Sequence, residues 1–365
     1  MTDFLIVGGG LIGLLSARAL SQTGAKVTLI ERGQLGMESS WAGGGILCPL
    51  YPWKYPDAVN QLATWSQARY AALAAELEQA TGIDSEWVQS GLLMLDVDQC
   101  EAGQTWTAAQ NVRARPLGAA EIQSLEPALQ HGYQAGLVMP DVAQIRNPLL
   151  VKALRQDLLN RGVRIAEGTE ITHLLTKNDR IRGVRTEYNE VMAEHVIIAC
   201  GAWSSTLLKE LGQTVPVMPV RGQMILFRAQ PGLLKHIILH DGHYVIPRGD
   251  GRILVGSTME EVGFDKTVTD EARDDLLEVA RTMVPALVKI PMERHWAGLR
   301  PGSPTGVPYI GAHPKVEGLY INAGHFRNGV VMAPASAELL ADIILGRPPI
   351  LEPLPFALAG RTSAV

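Results

Sequence analysis

The chain has 365 residues, a formal net charge of −5 and a pI near 6.0. That length exceeds one small core and points to two structural domains, and the mild acidic balance without a basic run excludes the usual footprint of a nucleic-acid partner. Three cysteines, Cys48, Cys100 and Cys200, form neither a disulfide framework nor a metal-ligand cluster, so a reducing compartment and no metal are expected.

The first thirty-odd residues organise the rest. Asp3 to Val7 is an apolar run suited to one buried strand, and it breaks into Gly8-Gly9-Gly10-Leu11-Ile12-Gly13. Helix formers follow to Gln22, with Gly24 placed to end the helix; Ala25 to Ile30 is a second strand, and Glu31 stands eighteen residues beyond Gly13. Strand, glycine turn, helix, strand and acid together are the dinucleotide fingerprint. Gly8 permits the tight turn, Gly10 lets backbone approach a pyrophosphate, and Gly13 allows close helix–strand packing. The amides and dipole of the helix start favour a phosphate anion, and Glu31 can accept from ribose hydroxyls. An ADP-containing group is therefore expected here. Because the fingerprint starts at residue 3, no room is left for a signal peptide, and no uninterrupted apolar run reaches about 18 residues. A cytoplasmic protein without membrane contact is the expectation.

Arg32 follows the ribose acid, and then come Ser39, Ser40 and the small-residue run Trp41-Ala42-Gly43-Gly44-Gly45. Backbone without side chains can lie flat on a ligand, which favours cofactor contact. Pro49 to Pro56 is rich in proline and aromatics, and reads as either a lid over a small-substrate site or a surface loop. Asp57 is placed to cap a helix from Ala58 to Ala80 that Gly82 ends. Short strands and turns are expected from Gly91 to Ala143. Asn147-Pro148 opens a helix to Arg161. Strands recur at 163–166, 171–175, 181–186 and 192–199, the last ending in Cys200-Gly201-Ala202-Trp203 before a helix. Strong alternation predicts an antiparallel sheet from 217–227, 237–247 and 252–258, with Asp250-Gly251 as a tight turn. A helix over about 269–284 follows. His295 to Gly302 leads back to the first domain, where a strand at 318–324 meets a helix at 328–345. Between them, Gly324-His325-Phe326-Arg327-Asn328-Gly329-Val330 is a second glycine-rich strand-to-helix junction.

Taken in order, these motifs resemble the flavin-dependent amino-acid oxidases of the D-amino-acid oxidase and sarcosine oxidase group, above all the thiamine-pathway glycine oxidases. The resemblance covers essentially the whole chain. It rests on Gly8/Gly10/Gly13/Glu31, on Ile198 to Trp203, and on His243-Tyr244-Val245-Ile246-Pro247-Arg248. Gly256-Ser257-Thr258-Met259-Glu260, Gly298-Leu299-Arg300-Pro301 and Gly324 to Gly329 complete it. It implies an α/β fold, α+β overall: a Rossmann-like FAD-binding domain assembled from 1–85, 144–215 and 296–365, and a substrate domain on a large antiparallel sheet from 86–143 and 216–295. FAD is the implied cofactor, held by Gly8, Gly10, Leu11, Ile12, Gly13, Glu31, Arg32, Ser39, Ser40, Ala42, Gly43, Gly44, Gly201 and Trp203. At the flavin end the implied contacts are Arg300, His325, Arg327, Asn328, Gly329 and Val330. Sarcosine oxidases of the group attach flavin through a cysteine shortly after the motif that reads Arg300-Pro301-Gly302 here. Ser303-Pro304-Thr305 occupies that stretch, so a noncovalent flavin is expected.

The group's chemistry implies a small amino acid whose carboxylate is gripped by Arg300, which can make two charge-assisted hydrogen bonds. Tyr244 adds another contact, and Met259 limits pocket volume. Glycine, sarcosine or a small D-amino acid would lose hydride to the flavin, and oxygen would take the electrons as hydrogen peroxide. No histidine is required as a base. A structural ion pair is the plain alternative for Arg300, and packing for Tyr244. Rival activities are a D-amino-acid dehydrogenase passing electrons to a quinone or carrier, a sarcosine-type secondary-amine oxidase, and a nucleotide-binding scaffold without turnover. Self-association is common in the group, and a homo-oligomer is expected.

Overall fold

The computed structural model describes residues 2–212 and 215–359. Met1, Gln213, Thr214 and residues 360–365, which the expected domain ranges include, lie outside the described residues.

The strand Thr2–Val7 sits at the centre of the first sheet, paired in parallel with Val27–Ile30 on one side and Glu190–Ile198 on the other. Leu5 and Ile6 are fully buried, as a continuous apolar run must be when both faces of a parallel sheet are covered. Arg164–Ala166 extends the sheet at one end; Leu319–Ala323 and then the antiparallel Tyr309–Ala312 extend it at the other. The hairpin Ile171–Lys177 and Arg180–Thr186 joins through Glu190–Ile198. Helices Leu11–Ser21, Asp57–Thr81, Asn147–Asn160 and Gly329–Leu345 pack against one another over this sheet and share one core. The 20-residue stretch Phe326–Leu345 is long and apolar enough to span a membrane. Here its apolar surface is spent within the protein, with Val331, Met332, Leu339 and Leu340 buried between helices.

The second sheet runs in the order Met292–Gly302, Met218–Arg228, Arg252–Gly256, His243–Pro247, Ile237–His240, Leu92–Met94, Ala135–Met139 and Arg115–Gly118. Its pairs are antiparallel except Leu92–Met94 with Ile237–His240. Alternation divides Met218–Arg228 cleanly. Ile225 and Phe227 pack with Leu276 and Ala280 of the helix Asp270–Met283, while Gly222 and Met224 face a cavity between the two layers. Thr269 caps that helix by accepting from Ala272 N–H at 3.3 Å.

Several expectations need correction. Residues 237–247 are two strands, not one, because Asp241 and Gly242 take positive φ and reverse the chain. The region 91–143 holds helices Val97–Ala109 and Ala119–Leu125 beside its strands. Only Cys100, Gly103 and Thr107 of the first are buried, so it lacks the large apolar stripe that marks a helix in sequence. Asp57 is the first helical residue, not a side-chain cap. Residues 296–302, assigned above to the first domain, lie in a ladder of the second sheet opposite Met218 to Met224. Interruption by Gly298, Pro301 and Gly302 hides that strand.

The stretch 49–56 is pinned by a buried carboxylate. Tyr51 O–H donates to Asp96 Oδ2 at 2.5 Å, Asp241 N–H donates to Oδ1 at 2.7 Å, and His240 Nδ1 lies 2.9 Å from the same oxygen. Asp96 is 7 % exposed. Burial opposes its ionisation, but the hydrogen bonds from His240, Tyr51 and Asp241 prevail and hold its pKa below the usual carboxylate value. Its stabilising effect is therefore present at neutral pH and fades as pH falls through that lowered value. Asp96→Asn should destabilise the fold by about 1–3 kcal/mol, read as a lower urea midpoint at neutral pH, with the gap to wild type narrowing in acid.

Candidate cofactor and substrate site

A cavity of about 550 Å³ runs between the two layers from the fingerprint turn to the second sheet. At one end Gly8, Gly10, Leu11 and Ile12 line it where the helix Leu11–Ser21 begins. Gly8 has φ +109°, and a methyl group there would lie 2.4 Å from Ala199 O. A methyl group on Gly13 would lie 1.9 Å from Gly8 O. Gly13 itself lies outside the cavity wall, so it acts by packing helix on strand and not by ligand contact. Glu31 lines the cavity and also ties the turn together, accepting from Gly9 N–H at 2.7 Å and Gly33 N–H at 2.8 Å. Ser40 Oγ accepts from Leu11 N–H at 2.8 Å. Arg32 stacks over Trp203 at 3.8 Å, and Phe264 lies on Trp203 at 5.3 Å.

Ser39, Ser40, Ala42, Gly43 and Gly44 form one wall, with Gly201 and Trp203 nearby. The second sheet presses on this wall. Trp296 Nε1 donates to Ala42 O at 3.1 Å, and the buried Arg248 donates to Gly44 O at 2.7 Å. Side chains are not tolerated at the contact. A methyl group on Gly44 would meet Ile246 at 2.7 Å and Tyr244 at 3.2 Å, and one on Gly298 would meet Ala42 at 2.5 Å.

At the other end lie Tyr244 and Arg300, with Arg327, Asn328, Gly329, Val330 and His325 along the second glycine-rich junction. The Arg300 guanidinium lies over Gly222, where a methyl group would be 2.0 Å from Nη1. It donates to Ser257 Oγ at 2.6 Å, Thr258 O at 3.1 Å and Arg221 O at 3.4 Å. Among the described residues no carboxylate pairs with it, which removes the structural ion pair as its explanation. Burial lowers its pKa, and the charge of Arg327 on the same wall works in the same direction; an arginine stays protonated regardless. Tyr244 is buried, and its O–H points to Met224 Sδ at 3.7 Å.

Met259 does not line the cavity and is 60 % exposed. Its neighbours Thr258 and Glu260 are tied by hydrogen bonds on the face of the sheet away from the cavity, and the Met259 side chain is left at the surface. The wall position expected of it belongs to Met224. His325 reaches the wall, but its ring is buried with Nε2 3.0 Å from Ser336 Oγ, and burial pushes its pKa down to about 3. It is a neutral, structural imidazole.

Sequence reading missed Gly222, Met224, Ser257, Cys48, Leu50 and the stretch Thr169 to Thr172. A glycine within an alternating strand signals close approach, and period two from Gly222 would have found Met224. Nothing in the local sequence marks 169–172. Cys48 and Cys200 both line the cavity, and burial raises each thiol to about 12.

The site suits a flavin dinucleotide. Methyl groups would close the fingerprint turn and the wall around Gly44, and Asn328, whose buried Nδ2 has no acceptor among the described residues, lines the cavity. Fold and site thus define a dinucleotide-dependent oxidoreductase, and the chain belongs to the FAD dependent oxidoreductase family, whose model matches residues 3–343. FAD is its cofactor. The chain is 47% identical over 358 residues to a glycine oxidase of Pseudomonas aeruginosa, covering 98% of both chains. The crystal structure of glycine oxidase from Geobacillus kaustophilus superposes with a TM-score of 0.93 at 30% identity, covering 98% of each chain. A Synechocystis bifunctional protein ThiO/ThiG is 32% identical over 351 residues, which are 94% of this chain and 52% of that protein.

Gly13→Ala forces backbone apart at the fingerprint, because the clashing atom is the carbonyl of Gly8. A strain on the order of 1–3 kcal/mol is expected. The variant should purify with most of its flavin missing, read from the visible absorbance of the protein.

Proposed function

We propose that the protein oxidises glycine and other small amino acids, with oxygen as final acceptor. The supporting observation is the Arg300 guanidinium: a charged donor facing the cavity, held in place by neutral oxygens and left without an acid. A buried charge is costly unless paired, so the site is completed by an anion brought from outside. A substrate carboxylate supplies it with two parallel hydrogen bonds, and the Tyr244 hydroxyl is close enough to the same wall to add a third.

Held by the fingerprint turn and the wall around Gly43 and Gly44, FAD would supply a hydride acceptor whose electrons go on to oxygen. Glycine, water and oxygen then give glyoxylate, ammonia and hydrogen peroxide. The protein's share is orientation. Fixing the carboxylate aims the reacting C–H bond and makes the step effectively unimolecular. The amine must enter neutral, and the buried His325 ring is turned to Ser336 rather than offered as a base. The names of the similar proteins support glycine as substrate, and the match to half of a ThiO/ThiG protein supports a place in thiamine formation. We assign cofactor binding to the first sheet with its helices and substrate binding to the second. A noncovalent flavin accords with two wall thiols held protonated and hydrogen-bonded to Pro49 O and Val7 O. A cytoplasmic, membrane-free homo-oligomer is part of the same reading.

Arg300→Ala should lower kcat/KM for glycine by 100-fold or more, on the order of 3 kcal/mol for a lost charge-assisted pair, while the protein stays yellow. Near-normal kinetics in that variant would remove Arg300 from the site. Peroxide released in air separates an oxidase from a dehydrogenase that feeds a carrier. Met224→Ala should open the pocket and raise kcat/KM for N-ethylglycine or D-alanine relative to glycine by about tenfold. An unchanged ratio in a substrate panel would show that Met224 does not set side-chain volume.

A further inference from the structure

Arg300 is supported by two carbonyls: Arg221 O, on the strand Met218–Arg228, and Thr258 O, on an irregular segment stitched to the edge of that strand. The strand Arg252–Gly256 pairs with Met218–Arg228 only as far as Met224 opposite Gly256. Beyond that pair, the open edge at Arg221–Gln223 is covered by Thr258 to Glu260. Glu260 N–H donates to Arg221 O at 2.9 Å, Arg221 N–H to Glu260 O at 2.8 Å, and Thr258 N–H to Gln223 O at 3.3 Å. Three main-chain bonds are little to fix a segment that departs from a sheet.

The Glu260 carboxylate adds four more. Oε2 accepts from Arg221 Nε at 3.0 Å and Nη2 at 2.5 Å, and Oε1 accepts from Thr258 Oγ at 2.5 Å and Gln223 Nε2 at 3.0 Å. Arg221 and Glu260 are directly opposed, so both project from the face away from the cavity. The carboxylate thus lies on the wrong side of the sheet to neutralise Arg300. It holds instead the residues whose carbonyls, Arg221 O and Thr258 O, receive Arg300.

Resting on the carboxylate-gripping role of Arg300 proposed above, we propose that Glu260 is a positioning residue for substrate affinity. It fixes the Arg300 guanidinium from the far face of the sheet, acting through the Thr258 and Arg221 carbonyls. Asp265, 2.8 Å from Arg221, keeps that arginine paired when Glu260 is changed, which favours a folded variant.

The test is Glu260→Gln in the FAD-loaded enzyme. An amide of the same shape offers one acceptor oxygen in place of two, so two of the four donors lose their partner. KM for glycine should rise about tenfold or more, with kcat changing much less and flavin content unaltered. Glycolate, a carboxylate that lacks the amine, should bind correspondingly more weakly, read from its perturbation of the flavin spectrum. Thr258→Val, which removes the hydroxyl's bond to Glu260 and the one it accepts from Gln223 N–H but leaves the carboxylate on Arg221 and Gln223, should show the same pattern to a smaller degree and serves if Glu260→Gln fails to fold. Wild-type glycolate affinity and KM in both variants would overturn the proposal. Arg300→Met is measured alongside. If it too binds glycolate normally, the failure belongs to the reading of Arg300 and not to Glu260.

Discussion

An unneutralised guanidinium in the wall of a cavity is the constraint on which the second layer is built. Water would solvate such a charge cheaply, but here it is held over Gly222 by Ser257, Thr258 and Arg221 oxygens. Each acceptor is neutral, so the positive charge remains available to a ligand. Acids are not scarce nearby: Glu260 and Asp265 both pair with Arg221. They do so on the opposite face of the sheet. Strand alternation thereby separates one arginine that is satisfied internally from one that is not.

The first layer solves a different problem, the close approach of backbone to a large ligand and to the neighbouring layer. Glycines stand at both contacts. In the fingerprint, Gly8 and Gly13 let strand and helix touch with no side chain between them. Around Gly44 and Gly298 the two layers come together through backbone and small side chains, stitched by Arg248 and Trp296. A cavity lined from both layers keeps its shape only if those layers keep their spacing. Further along, Lys266 pairs with Glu38 and Phe264 rests on Trp203, so the segment after Glu260 also reaches back to the fingerprint end.

Much of this was legible in the sequence, and the exceptions have physical causes. The fingerprint could be read because its residues are contiguous and each has a backbone duty. Tyr244 and Arg300 lie on the cavity as the resemblance implied. Met259 was misplaced because the chain leaves the sheet after Gly256, and alternation beyond that point follows an irregular segment. Met224 stayed hidden in a run of apolar residues where composition does not reveal which face is turned inward. The helix Val97–Ala109 was overlooked because it buries small and polar residues, and the strand Met292–Gly302 because glycine and proline interrupt it. Thr169 to Thr172 reach the cavity only through tertiary folding, which leaves no local trace.

Two sulfur atoms stand in the cavity wall, at Cys48 and Cys200. Under the proposed chemistry an oxidant is formed a short diffusion path from both. The thiolate, not the thiol, is the nucleophile that attacks peroxide, and burial, by pushing both thiols up to about 12, favours the slow, protonated form. Burial, helped at Cys200 by the charge of Glu31, thus lowers the reactivity of both wall thiols toward the by-product of the proposed chemistry, without excluding cysteine from the site.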